Sequence, residues 1–129
     1  MTLPLLRAIF FDIDDTLYSS TEFAGRAREA SVDAMLARGL AADRARVLTE
    51  LYRVVEEFGS NDSHHFQRLL DRLPSTATAR VNPSLLVSAG MMAYHETKWR
   101  ELRLRPEACD VLQALAATQV ALGVVTAGI

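Results

Sequence analysis

Only two short runs of this chain read as β-strand, residues 5–11 and 120–126, and more than a hundred residues without a strand signal separate them. Both runs are apolar and rich in Ile, Leu, Phe or Val, as buried strands are. A parallel return of the second beside the first needs a crossover, and a helix supplies it most simply. The spacing therefore predicts an α/β chain. Its strands belong to one sheet, and a block of helices is inserted between them.

The intervening stretch carries helical stripes and caps. Ser19 and Glu22 form a capping box, and Phe23, Ala27, Ala30 and Ala34, with Ala24, Ser31 and Met35 beside them, make one apolar face. Gly39 is a C-terminal stop. A second helix covers residues 42–58, with Leu48, Leu51, Tyr52, Val55 and Phe58 as its stripe and Gly59 at its end. Asn61 or Asp62 is placed to cap a third, with Phe66, Leu69, Leu70 and Leu73 inward. Residues 74–79 read as a loop. Asn82-Pro83 is an N-cap followed by proline at the first helical position. The fourth helix runs out to about Trp99, with Leu85, Leu86, Ala89, Met92, Ala93 and Glu96 on one side. Pro106 opens the fifth, the crossover helix, whose expected buried face is Ala108, Val111, Leu112 and Leu115. Tyr94 and Trp99 are expected to be packing residues with polar tips.

The 129 residues are 50% apolar and 23% charged with formal charge −2, which fits one ordinary globular domain. That composition excludes a disordered tail, a collagen-like repeat and a disulfide scaffold. No run of about 18 apolar residues exists to span a bilayer. Residues 1–6 lack the basic start and cleavage site of a signal peptide, so the cytoplasm is the expected compartment. The lone Cys109 has no internal disulfide partner and reads as a small core residue. So small a net charge makes no electrostatic case for nucleic acid or an anionic membrane as partner.

The first strand runs directly into Asp12-Ile13-Asp14-Asp15-Thr16. Carboxylates two residues apart at the carboxyl end of a parallel sheet stand where open α/β sheets bind ligands. Such a cluster binds a cation or shares protons, because close carboxylates repel. By itself Asp-x-Asp-x-Thr fits an ordinary polar turn equally well.

The longer run Phe10-Phe11-Asp12-Ile13-Asp14-Asp15-Thr16-Leu17-Tyr18 resembles motif I of the haloacid dehalogenase superfamily, an apolar strand followed by Asp-x-Asp-x-Thr-Leu. Val120 to Gly128 is similar to its motif II, an apolar strand ending in Ser or Thr and a small residue. Helices between the two motifs look like the C1 cap of subfamily I. Phe58-Gly59-Ser60-Asn61, His64-His65-Phe66 and Tyr94-His95-Glu96-Thr97-Lys98-Trp99 look like one clade of small-molecule phosphatases. The resemblance implies a partial Rossmann-like core over residues 1–17 and 100–129 and a helical cap over 18–99. Superfamily members continue past motif II with a basic motif III and an acidic motif IV. The chain is accordingly expected to be an N-terminal fragment, weakly active alone and prone to pair with a missing half or with its own copies.

The chemistry implied is that of a phosphatase of small phosphorylated metabolites. Asp12 would be the nucleophile that forms an aspartyl-phosphate, and Asp14 the general acid and then base. Asp12 and Asp14, the latter through its backbone carbonyl, would hold Mg²⁺, and Thr126 with the backbone near Ala127 would bind the phosphoryl oxygens. Asn61, His65 and Lys98 are candidate substrate contacts. Asn61 also fits a helix cap, while His64, His65 and Lys98, the only lysine, also fit a solvated surface. Asp14 separates a phosphatase from a haloacid dehalogenase, because an alkoxide needs a proton to leave and a halide does not. A dehalogenase or phosphomutase on the same scaffold, a receiver-like domain and a non-catalytic fragment are the alternatives. The receiver requires five alternating βα units, which the strandless stretch disfavours.

Overall fold

The computed structural model describes residues 5–126. Their order is β1 (Ala8–Phe11), α1 (Ser20–Ala37), α2 (Arg44–Phe58), α3 (His65–Arg72), a 3-10 turn (Ser75–Ala77), α4 (Pro83–Glu101), α5 (Pro106–Ala116) and β2 (Ala121–Val124). β1 and β2 pair in parallel, from Ala8 opposite Ala121 to Phe11 opposite Val124. The ladder is extended at both ends, where Ala121 N–H donates to Arg7 O and Val125 N–H to Phe11 O, each at 2.9 Å. The fold class is the α/β arrangement expected, with shorter strands than the apolar runs. Contacts divide the chain into two units, residues up to Glu22 with those from Leu102 onward, and Phe23–Glu101.

The helical unit owns the core. Val32, Met35, Leu40, Val47, Leu51, Phe66, Leu69, Leu70, Leu73, Ala77 and Leu86 form one buried cluster. The α3 stripe is buried as the spacing predicts. In α2 Leu51 is buried as expected, but its buried companions are Val47 and Val54, one position over from the expected Leu48 and Val55, and Tyr52 and Phe58 are exposed. Adjacent apolar pairs, Val47-Leu48 and Val54-Val55, give that helix an apolar face wide enough for either register, and the neighbouring helices decide between them.

In α4 the expected side is rotated. Leu86, Gly90 and Thr97 are buried, whereas Leu85 is 61% and Met92 72% exposed. Gly90 is the reason. A Cβ there would lie 3.1 Å from Met35 Sδ and 3.3 Å from Phe66 Cδ1, so the bare backbone is what lets α4 approach α1 and α3. Tyr94 packs edge-on against Phe66 at 6.4 Å between centroids. Trp99, expected to pack, is 84% exposed.

Helix ends follow local chemistry. Asp43 caps α2 by accepting from Arg46 N–H at 3.0 Å, and Asn82 Oδ1 accepts from Ser84 N–H at 2.9 Å at the head of α4. Neither Asn61 nor Asp62 caps α3. His64 is its N-cap without a side-chain bond, and Asp62 instead accepts from Arg68 Nε at 2.8 Å. Helix α1 closes in a Schellman motif, with Leu40 N–H on Met35 O at 3.1 Å and Gly39 N–H on Leu36 O at 3.0 Å. Gly39 has φ +105°, and a Cβ on it would lie 2.7 Å from Val81 Cγ2. Gly59, at φ +83°, has open space around it. Gly39→Ala is therefore expected to cost about 2 kcal/mol or more, and Gly59→Ala less, since only the first adds a clash to the strained φ. Urea unfolding midpoints of the two variants check the order.

The sheet unit is different. No described residue of it is buried, α5 included. Ala108, Leu112 and Leu115 are half-buried and Val111 is exposed, which corrects the buried face expected for the crossover helix. Two strands of four residues give a surface only about 13 Å long and two strands wide, too small to cover a helix face. Cys109 is half-buried, with Gln113 Nε2 3.6 Å from its sulfur.

Candidate active site

Asp12 is the first residue after β1, and Thr126 stands two residues after the end of β2. Because the strands are parallel and Phe11 faces Val124, both lie at the carboxyl end of the sheet. Asp12, Asp14 and Thr126 are exposed there. Ala127, the other expected phosphate contact, lies outside the described residues.

Backbone bonds shape the loop between β1 and α1. Thr16 N–H and Leu17 N–H both donate to Ile13 O, at 3.2 and 3.0 Å. Asp15 sits at φ +56°, a left-handed conformation that Gly, Asn and Asp adopt most readily. Its carboxylate accepts from Thr21 N–H at 3.1 Å and Thr21 Oγ1 at 2.8 Å, and these bonds hold it below the ordinary carboxylate range. Ser19 Oγ accepts from Glu22 N–H at 3.4 Å, so the first turn of α1 is capped from two side chains. Arg105, at the head of α5, ties the same loop from 90 residues away. Its backbone N–H donates to Leu17 O at 2.8 Å and its guanidinium to Asp15 O at 3.2 Å.

Tyr18 turns back onto the acidic pair. Its hydroxyl donates to Asp14 Oδ1 at 2.8 Å, and the backbones of the two residues form an isolated parallel bridge. Burial, the bond to Asp14 and the charges of Asp14, Asp15 and Asp12 push the phenol above its ordinary value, so it remains a donor at neutral pH.

The donors at this end of the sheet are all oxygens, the chemistry a hard cation prefers. Among the described residues no group of three or more His, Cys, Asp or Glu is placed to hold a metal. One carboxylate, that of Asp12, with the Asp14 backbone carbonyl still fits Mg²⁺, which keeps several waters and takes one or two carboxylates plus substrate phosphate oxygens.

The other candidates lie on the helical unit, where His64, His65 and Lys98 already have partners. Asn61 is exposed in the turn after α2. His65 Nε2 lies 2.7 Å from Gly59 O, so this nitrogen carries the proton and pins the turn. Lys98 Nζ is 5.5 Å from the Phe23 ring and 5.6 Å from the Tyr94 ring, a cation held between two aromatic faces. His64 Nδ1 is 3.6 Å from Asp62.

A family model described as haloacid dehalogenase-like hydrolase matches residues 6–128. The chain belongs to the haloacid dehalogenase-like hydrolases. It is 41% identical over 96% of its length to a protein of Pyrococcus abyssi named glyceraldehyde 3-phosphate phosphatase, covering 50% of that relative. It is 37% identical over 97% of its length to a protein of the same name from Methanopyrus kandleri, covering 52% of it. A Pyrococcus furiosus relative of that name is 37% identical over 95% of the chain and 49% covered. The chain thus spans about half the length of the curated relatives it matches. Within this chain the sequence marks the aspartates but gives no sign of Tyr18 or Arg105 as partners of the loop. Tyr18 carries a faint signal, a tyrosine four residues after a carboxylate. Arg105 carries none, because its contact is made only by the fold.

Proposed function

We propose that the protein carrying this chain is a Mg²⁺-dependent phosphatase of small phosphorylated metabolites, working through an aspartyl-phosphate. The observation that carries the reading is the shared position of Asp12, Asp14 and Thr126 at the carboxyl end of one parallel pair. An oxygen of the Asp12 carboxylate attacks phosphorus, and the bond from phosphorus to the ester oxygen breaks. Asp14 gives its proton to that leaving oxygen, then takes one from the water that attacks the aspartyl-phosphate, freeing Asp12 and inorganic phosphate. Thr126 hydrogen-bonds the phosphoryl oxygens. Bound Mg²⁺, held by Asp12 and Asp14, supplies charge neutralisation for those oxygens. The presence of Asp14, an acid a departing halide does not need, favours phosphatase over dehalogenase.

The helical unit Phe23–Glu101 is read as the cap that selects the substrate, with Asn61, His65 and Lys98 as its candidate contacts. The relatives' name makes glyceraldehyde 3-phosphate the first ester to try, and the cytoplasm is the compartment proposed. The test is a phosphate-release screen of the intact protein against triose, sugar and glycerol phosphates. Release from at least one ester is expected with Mg²⁺, falling to background with EDTA. No release from any ester, or release that EDTA leaves unchanged, would refute the reading.

A further inference from the structure

We propose that Tyr18 is a positioning residue for Asp14, holding its carboxyl where it can exchange a proton with the leaving oxygen; this rests on the phosphatase reading above. Three observations converge on it. The Tyr18 hydroxyl is 2.8 Å from Asp14 Oδ1, and the backbone bridge between the two residues fixes where the ring starts. The turn that brings them together is fastened independently of that bond. Leu17 O is held by Arg105 N–H, Asp15 O by the Arg105 guanidinium, and the Asp15 carboxylate by Thr21. The phenol occupies one carboxyl oxygen of Asp14 and leaves Oδ2 for the proton transfer. An exposed carboxylate on a loop otherwise samples several rotamers, and a proton-transfer group gains rate from being held at one of them.

Tyr18→Phe removes the hydroxyl and keeps the ring, so the melting temperature is expected to stay within about 3 °C, on the scale of one lost exposed hydrogen bond. In the intact protein with Mg²⁺, kcat/KM is compared for an alkyl ester, glycerol phosphate, and for p-nitrophenyl phosphate. Nitrophenolate departs without a proton, so the alkyl ester should lose about tenfold and the aryl ester no more than about threefold. The same change is then made in Asp14→Asn, where Tyr18→Phe should add almost nothing if it acts through Asp14. This cycle keeps the proposal testable even where Tyr18→Phe lowers the melting temperature. Equal losses on both esters, no loss on either, or an undiminished loss in the Asp14→Asn background would overturn the positioning role while leaving a phosphatase in place. Where another alkyl ester of the screen is the one turned over, it takes the place of glycerol phosphate, and a wild-type protein that hydrolyses none of them would instead remove the functional reading itself, and the role of Tyr18 with it.

Discussion

Asp12→Asn is expected to lower phosphate-ester turnover of the intact protein by about a thousandfold or more, in line with the loss of a nucleophile from a covalent mechanism. The amide has the shape of the carboxylate but neither its charge nor its nucleophilic oxygen. It also withdraws the one carboxylate proposed to hold Mg²⁺, the other proposed protein ligand being the Asp14 backbone carbonyl. Asp12 is exposed and lies just past the last paired residue of β1, so the exchange leaves the ladder bonds between Phe11 and Val125 untouched. The melting temperature should therefore remain near that of the parent. The check is steady-state phosphate release from the ester turned over fastest, with trapping of acid-stable label on the protein as a second measure. Turnover close to that of the parent would rule out Asp12 as nucleophile.

The acidic loop and the helices were legible in the sequence to different depths. Helix ends were readable where one side chain decides them, as at Asn82 with Pro83, at Ser19 and at Gly39. They were unreadable at α3, where His64 takes the N-cap position with no side-chain capping bond and Asp62 pairs with Arg68. Stripes were readable where apolar residues occur only on one face, as in α3. In α2 the doubled apolar positions left two registers open. In α4 the deciding residue is a glycine, whose contribution is the contact it permits between Met35, Phe66 and the helix backbone. No hydropathy pattern records that. At the site, the positions of Asp12 and Asp14 follow from strand and motif alone. The grip of Tyr18 on Asp14 depends on Asp15 adopting a left-handed conformation and on Arg105 arriving from a distant helix. His65 and Lys98 were attractive as polar residues in a helical block. Their bonds to Gly59 O and to two aromatic rings give each a role inside its own unit.

Hydrogen exchange on this 129-residue chain is expected to separate the two units by at least about a hundredfold in protection, roughly 2.7 kcal/mol. Every buried side chain among the described residues belongs to Phe23–Glu101, where Val32, Met35, Val47, Leu69 and Leu86 are wholly shielded. Opening the helices there exposes that apolar area to water, at about 25 cal/mol per Å². The sheet unit has no such penalty. Phe10 is 65% exposed although it lies in a strand, with its ring laid over Gly123 of the neighbour, and Val124 and Val125 are also exposed. Its two strands of four residues share one ladder, and two-stranded sheets are marginal in water. The amides of Ala121 and Val125, bonded to Arg7 O and Phe11 O, should therefore exchange through a local opening of the pair. Those of Leu51 and Leu69 should exchange only when the helical core opens. Equal protection at Val125 and Leu69 would mean that the sheet is stabilised by something other than its own burial. If a companion added to the chain slows exchange at β1 and β2 and leaves Leu51 and Leu69 unchanged, the same measurement locates the surface that companion covers.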